Sequence, residues 1–307
     1  MPKRYIDVAI CYDFDGTLSP KNMQEYDFFN ALGNGAKKFW AEARALAKEN
    51  NADEILAYMM LMIERAKNSK AKTTRSAFRD YGKGIELYPG VDTWFDRINQ
   101  DGKQLGLAIH HYIISSGIKE MIEGSPIANK FKKIYACSFI YDQNDVAVWP
   151  AVAVNYTTKT QFIFRINKGI EDDNDHETIN KFIPREERAI PFSRMIYLGD
   201  GSTDVPCMRL IKDLGGTSIA VYPPRSSKKH SAAEHLLNDG RVNFISQADY
   251  TAGARLHELV KIIMEKIAAD SKYLSFPSAK IQNRSKDEHE ENLQGPNDIA
   301  KGLEEKK

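Results

Sequence analysis

Apolar positions fall into two patterns along this chain. Short continuous apolar runs end at Tyr12, at Ile114, near Ala136, at Leu198 and at Tyr222. Runs of that length bounded by polar turns predict buried strands, and the stretches between them carry helical spacing. Strands alternating with helices are the pattern of an α/β fold. From Met23 to Tyr81 the pattern changes. Met23 to Leu32, Ala36 to Asn50, Asp53 to Asn68 and Thr74 to Tyr81 read as four helices with no strand between them. In the third, Ile55, Met59, Met62 and Ile63 follow helical spacing, while Glu54, Glu64, Arg65 and Lys67 supply a polar side, so the methionine stripe is expected to be core. Beyond Phe276 the chain turns polar and charged, with Pro277, Pro296 and a Glu-Glu-Lys-Lys end, and residues 276–307 are expected to form a flexible tail.

The first apolar run, Ile6 to Tyr12, leads into Asp13-Phe14-Asp15-Gly16-Thr17. Side chains at i and i+2 of an extended strand point the same way, so Asp13 and Asp15 are expected on one side of the strand end. Two carboxylates that close repel, unless a cation lies between them or one keeps its proton. The first outcome makes a metal site, the second a nucleophile beside an acid. A second acidic cluster follows another apolar run, where Met195 to Leu198 stops at Gly199-Asp200-Gly201-Ser202-Thr203-Asp204. The C-terminal edge of a parallel sheet is where ligands bind, so both clusters point there. Asp204 also precedes the helix-compatible stretch from Val205 and can serve as its N-cap.

Ser115 ends the strand that closes at Ile114, with Ser116 and Gly117 next and a helical stretch beginning near Ile118. A hydroxyl followed by free amides at a helix start is a seat for phosphate. Lys159 lies between a strand-like stretch, Ala151 to Tyr156, and a helix that starts at Thr160; Lys168, near the other end of that helix, is its competitor.

In their order along the chain, DFDGT, Ser115-Ser116-Gly117, the lysine near Thr157-Thr158-Lys159-Thr160, and GDGSTD resemble the four motifs of the haloacid dehalogenase superfamily of phosphohydrolases, and most of all its phosphoserine-phosphatase-like branch. The resemblance spans roughly residues 5 to 245. It implies a Rossmann-like doubly wound parallel sheet core, residues 1–18 and 90–275, with an inserted all-helical cap, residues 19–89. It also implies a nucleophilic Asp13 that forms an aspartyl-phosphate, and Asp15 as general acid and base. Ser115, Ser116 and Lys159 would bind phosphate. Mg2+ would be held by Asp13, the Asp15 carbonyl and Asp200, with Asp204 orienting the lysine or a metal-bound water. Asn22, Gln24, Glu25 and Arg75 are the specificity candidates on the inserted segment. Phosphoserine phosphatases present a cap glutamate to the substrate amine, and the position matching it here is Asn22, which argues against phosphoserine itself. Asp15 at the +2 position suits phosphatases and phosphomutases, and Thr17 favours the former. The expected activity is a Mg-dependent phosphatase on a small phosphorylated metabolite; the alternatives are a sugar-phosphate mutase or phosphotransferase, and a non-catalytic phosphate-binding regulatory protein.

Composition removes other classes. Forty-three basic and 42 acidic residues leave a net charge of +1, so neither bulk nucleic-acid nor anionic-membrane binding is expected. No apolar run approaches the roughly 20 residues that span a bilayer. Met1 to Arg4 lead directly into the first strand, so no signal sequence is expected, and an odd set of three cysteines, Cys11, Cys137 and Cys207, in or beside apolar stretches predicts buried thiols and a cytoplasmic setting. The acidic run Glu171 to Glu177 lacks the ordered spacing of a calcium loop, and His110-His111 has no partners at zinc spacing; the first reads as a solvated loop and the second as packing.

Overall fold

A computed structural model describes residues 5–276 apart from positions 34, 174, 176 and 202; the tail expected beyond Phe276 lies outside the described residues. The first strand, β1 (Ile6–Tyr12), buries every side chain from Val8 to Tyr12. Successive strand residues face opposite ways, so five buried in a row require cover on both faces of the sheet. After β1 the chain makes one 3-10 turn, Met23–Glu25, and then α1 (Asp27–Leu32), α2 (Ala36–Glu49), α3 (Glu54–Ala66) and α4 (Arg75–Gly82). Next come α5 (Val91–Gln104), β2 (Leu107–Ile118), α6 (Lys119–Gly124), β3 (Lys133–Tyr141), β4 (Ala147–Val152) and α7 (Lys159–Lys168). The remaining elements are β5 (Met195–Gly199), α8 (Val205–Asp213), β6 (Thr217–Tyr222), α9 (Ser227–Asn238), β7 (Phe244–Gln247) and α10 (Arg255–Leu274).

The seven strands form one sheet in the order β4-β3-β2-β1-β5-β6-β7, and helices cover both of its sides. All neighbours run parallel except the edge pair β3 and β4, which is antiparallel. The chain therefore builds outward from β1 in one direction, then returns to place β5 on the other flank of β1. That reversal opens a crevice at the C-terminal ends of the central strands. Register brings the ends level, since Tyr12 pairs with both Ile113 and Leu198.

Some expectations need correction. The first helix of the inserted segment breaks at Tyr26, whose backbone (φ −89°, ψ −124°) is not helical, so it becomes a 3-10 turn and a short helix. The stretch Ala151 to Tyr156 is mostly loop; the strand before α7 is β4, which ends at Val152. β2 continues to Ile118, and α6 starts only at Lys119. Between Ile114 and Ile118 it bulges, because those four steps oppose only two steps of β3, Tyr135 to Cys137. The helix α3 behaves as its pattern predicts: Asp53 caps it by accepting from the Ile55 and Leu56 amides, and Met59 and Met62 are fully buried.

Candidate active site

β1 delivers Asp13 one residue past its end, where the Asp13 amide still bonds the Leu198 carbonyl of β5 at 2.9 Å. β5 delivers Asp200 immediately after its own end, and the N-terminus of α8 delivers Asp204. Carboxylate oxygens of Asp13, Asp200 and Asp204 come within 4.8 Å of one another. Gly16 makes this approach feasible. Its φ is +77°, and a Cβ there would lie 2.4 Å from Asp200 Oδ2, so neither the backbone nor the space accepts a larger residue.

Lys159, at the start of α7, projects into the acidic cluster with no exposed surface. Its Nζ donates to Asp204 Oδ1 at 2.7 Å and to Asp13 Oδ1 at 3.0 Å. Burial opposes a charge on this amine, but Asp13 and Asp204 outweigh it and hold the ammonium form above its ordinary range. Lys168 points elsewhere, donating to the carbonyls of Ile179 and Lys181, so of the two lysines it is Lys159 that reaches the acidic cluster. Asp204 is also fully buried, and Tyr197 donates to its Oδ1 at 2.7 Å. The expected side-chain cap on α8 is absent, because that carboxylate is taken by Lys159 and Tyr197. Its Oδ2 is buried without a hydrogen-bond partner. An anionic oxygen left so is costly, and an orphaned acceptor beside Asp13 and Asp200 fits a hard cation with oxygen ligands.

Burial, followed by the field of Asp204, pushes the Asp13 carboxyl up to about 7 against the pull of Lys159. Burial also raises Asp200, against Lys229, whose Nζ donates to Asp200 Oδ2 at 2.9 Å. Asp15 lies on the cavity side with Asp13, as the i+2 spacing suggested, but its carboxylate stands outside the three-acid cluster. Its Oδ1 accepts from the Met23 amide at 2.9 Å, so its side chain is held by the inserted segment. Burial, then the nearby Asp13 charge, holds the Asp15 carboxyl well above the ordinary range, the direction that general-acid work requires.

Asp13, Asp15, Asp200 and Lys229 line a cavity of about 560 Å³, together with Ser115, Ser116 and Gly117 from the bulge in β2 and residues of the inserted helices, while the fully buried Lys159 and Asp204 are not part of its lining. Ser115 is buried, and its Oγ accepts the Gly117 amide at 3.0 Å. Ser115 and the amides beside it therefore belong to the bulge itself rather than to the start of α6, two residues beyond it. Of the specificity candidates, Asn22, Gln24 and Glu25 line the cavity. Glu25 Oε1 accepts from Asn22 at 2.6 Å and from Trp40 Nε1 at 2.9 Å, and Gln24 Oε1 is buried without a partner. Arg75 does not reach it. It pairs with Glu120 and Asp145 at 3.3 Å each and stacks over the Tyr141 ring, joining α4 to the β3–β4 hairpin.

Tyr197, Trp40 and Tyr58 were not marked by the sequence, because aromatic residues inside apolar or helical runs read as core; the phenol that bonds Asp204 gives no separate signal. Of the two histidines expected to pack, the buried His111 does so between Tyr12 and Asn99, while the partly exposed His110 pairs with Asp7. In the acidic run Glu171 to Glu177 the main-chain carbonyls of Asp172, Asp173 and Asp175 accept from the buried Arg165; positions 174 and 176 lie outside the described residues. All three cysteines are free and buried, and among the described residues no helix is long and apolar enough to cross a membrane.

Residues 10–209 match the profile of the haloacid dehalogenase-like hydrolases. A protein of Borreliella burgdorferi, described only as uncharacterized, is 30% identical over 295 residues, covering 87% of this chain and 99% of its own. Among solved structures, a HAD family hydrolase of Salmonella enterica serovar Typhi superposes with a TM-score of 0.54 at 15% identity, covering 85% of this chain and 73% of that one. A probable phosphoserine phosphatase of Vibrio cholerae gives a TM-score of 0.55 at 13% identity, covering 88% and 69%. At those identities the structures show a shared fold.

Proposed function

Since the chain belongs to the haloacid dehalogenase-like hydrolases, we propose that it is a phosphatase that hydrolyses a small-metabolite phosphomonoester through a phosphoryl group carried on Asp13. The observation that carries this reading is the buried Lys159 ammonium shared between Asp13 and Asp204. A cation beside the nucleophile gives an incoming phosphoryl oxygen a partner and lowers the charge that an anionic substrate meets. Asp13 attacks phosphorus, and the ester oxygen leaves with a proton from Asp15. Asp15 then takes a proton from the water that attacks the phosphoryl-aspartate, which releases inorganic phosphate and restores Asp13. Ser115 and the bulge amides receive the non-bridging oxygens.

A divalent cation would be held by Asp13, the Asp15 carbonyl and Asp200, with Asp204 beside them orienting the lysine or a metal-bound water through its otherwise unpartnered Oδ2. We assign this role to Mg2+, which when bound would neutralise phosphate charge. The inserted residues 19–89 act as a cap over a core formed by 1–18 and 90–275, excluding water from the cavity they share and selecting the leaving group. Three buried, free thiols support a cytoplasmic setting. The test is a screen of metabolite phosphates with and without Mg2+. Magnesium-dependent release of phosphate from at least one small phosphomonoester is expected, and a panel left intact under both conditions would remove the phosphatase reading.

A further inference from the structure

The bulge that carries Ser115 has an irregular backbone, and the inserted helices hold part of it. Because β2 gains two residues over β3 between Ile114 and Ile118, the Ser116 carbonyl falls outside the ladder. It accepts instead from the Tyr58 hydroxyl of α3 at 2.6 Å, with the weak Cys137 Sγ donor at 3.3 Å. Tyr58 is buried, and burial raises its hydroxyl well above its ordinary value, so it stays a protonated donor.

The Ser116 carbonyl and the Gly117 N–H belong to one peptide plane, and in a trans peptide they point in opposite directions. Holding the carbonyl on Tyr58 therefore aims the Gly117 N–H away from α3, where it meets Ser115 Oγ. A hydroxyl oxygen that accepts an amide keeps its own proton to give to a phosphate oxygen. A Cβ at 117 would lie 2.1 Å from Met23 Cε, so a larger residue would displace the methionine whose Sδ accepts from the Ile118 amide.

We infer that Tyr58 is a positioning residue: from the inserted segment, through the Ser116–Gly117 peptide, it sets the orientation of Ser115 for phosphate. The same helix reaches the other phosphate partner. Asp53, its N-cap, accepts from Asn155 Nδ2 at 2.9 Å, and the Asn155 carbonyl accepts the Lys159 amide at 2.9 Å. The phosphate seat is complete only while α3 is docked. The inference concerns the seat of the phosphatase proposed above and rests on that reading for its ligand.

The test is Tyr58→Phe in the full chain, with three readouts. Without ligand, exchange of the Gly117 amide is expected to quicken about tenfold, as loss of one hydrogen bond to a carbonyl implies. With Mg2+ present, the dissociation constant for inorganic phosphate and the KM are expected to rise together by about tenfold, with kcat within about twofold. In the double variant with Ser115→Ala, the loss in phosphate affinity should be smaller than the sum of the single losses, because both act on one contact. A purely structural tyrosine would give a lower kcat with KM, phosphate affinity and Gly117 exchange unmoved, and that result overturns the inference. Should the wild-type chain hydrolyse no phosphomonoester, the proposed function falls, while the exchange of Gly117 in the two proteins still decides whether Tyr58 orients the peptide.

Discussion

Lys159 Nζ stands 2.7 Å from Asp204 Oδ1, and neither side chain has any exposed surface. A buried ion pair is weak evidence for stability, since desolvation offsets most of the attraction. Its value here is positional. Asp204, itself held by Tyr197, fixes the ammonium against Asp13, and the amine cannot rotate away without leaving charge unpaired.

Lys159→Met should therefore separate activity from folding. Turnover should fall on the order of 10²- to 10³-fold, as for removal of one aligned donor to a developing anion. The metal-free variant should also melt lower, because Asp13, Asp200 and Asp204 then repel without a counter-charge. Steady-state kinetics and thermal melts with and without Mg2+ check both; near-native turnover would remove Lys159 from the phosphate role.

Asp15→Asn should discriminate between leaving groups. An alkoxide needs a proton as it departs and a nitrophenolate hardly does, so loss of the acid should slow the first step more for an alkyl phosphate, by on the order of 10²- to 10⁴-fold. The pre-steady-state burst is the quantity to compare, since later hydrolysis of the shared phosphoryl-aspartate needs the same group. Equal losses for both substrates would remove Asp15 from the acid role.

How much of this was legible beforehand varies from residue to residue. Asp13, Asp200 and Lys159 could be placed from sequence because each follows or precedes a regular element, and strand ends in a parallel sheet share an edge. Arg75 failed because polarity on a helix start does not say which neighbour that start meets, and here it meets Glu120 and Asp145. Asp15 shares the cavity with Asp13 as its spacing implied, but its bond to the Met23 amide could not be read from the local pattern, because it depends on where the inserted segment folds back. Tyr58 and the bulge at Ser115 were invisible because each depends on distant contacts, Tyr58 on the Ser116 carbonyl 58 residues away and the bulge on the pairing of β2 with Tyr135 and Cys137 of β3.

Magnesium should stabilise the chain more at pH 8 than at pH 5.5. Asp13 is raised from 3.8 to about 7, so the metal-free fold binds this proton more tightly than the unfolded chain does. The contribution is fully present below pH 3.8 and is lost as pH rises through about 7. Metal competes with that proton, so its effect is largest where the carboxylates are already ionised; at 100 times Kd it amounts to about 2.7 kcal/mol. Melting temperatures over a magnesium series at the two pH values decide it, and an equal rise at both would contradict the assignment of the cation to this cluster.

His111 should make the fold sensitive to acid. Burial holds it down to about 3 from 6.5, while Tyr12 and Asn99 occupy its ring nitrogens. The unfolded chain takes up this proton first, so the stability it contributes is present above pH 6.5 and is lost as pH falls toward 3. In His111→Gln that part of the slope should vanish. Urea midpoints of both proteins between pH 7 and pH 4 give the comparison, and parallel slopes would exclude the histidine as the source.

The central claim is that Asp13 carries the phosphoryl group. Acid quenching during turnover of a reactive phosphomonoester, followed by peptide mass mapping, tests it most directly. The account predicts a phosphoryl adduct on the peptide containing Asp13, formed within the burst and absent from Asp13→Asn, which also loses turnover. Full turnover by Asp13→Asn, or an adduct on another residue, would contradict it.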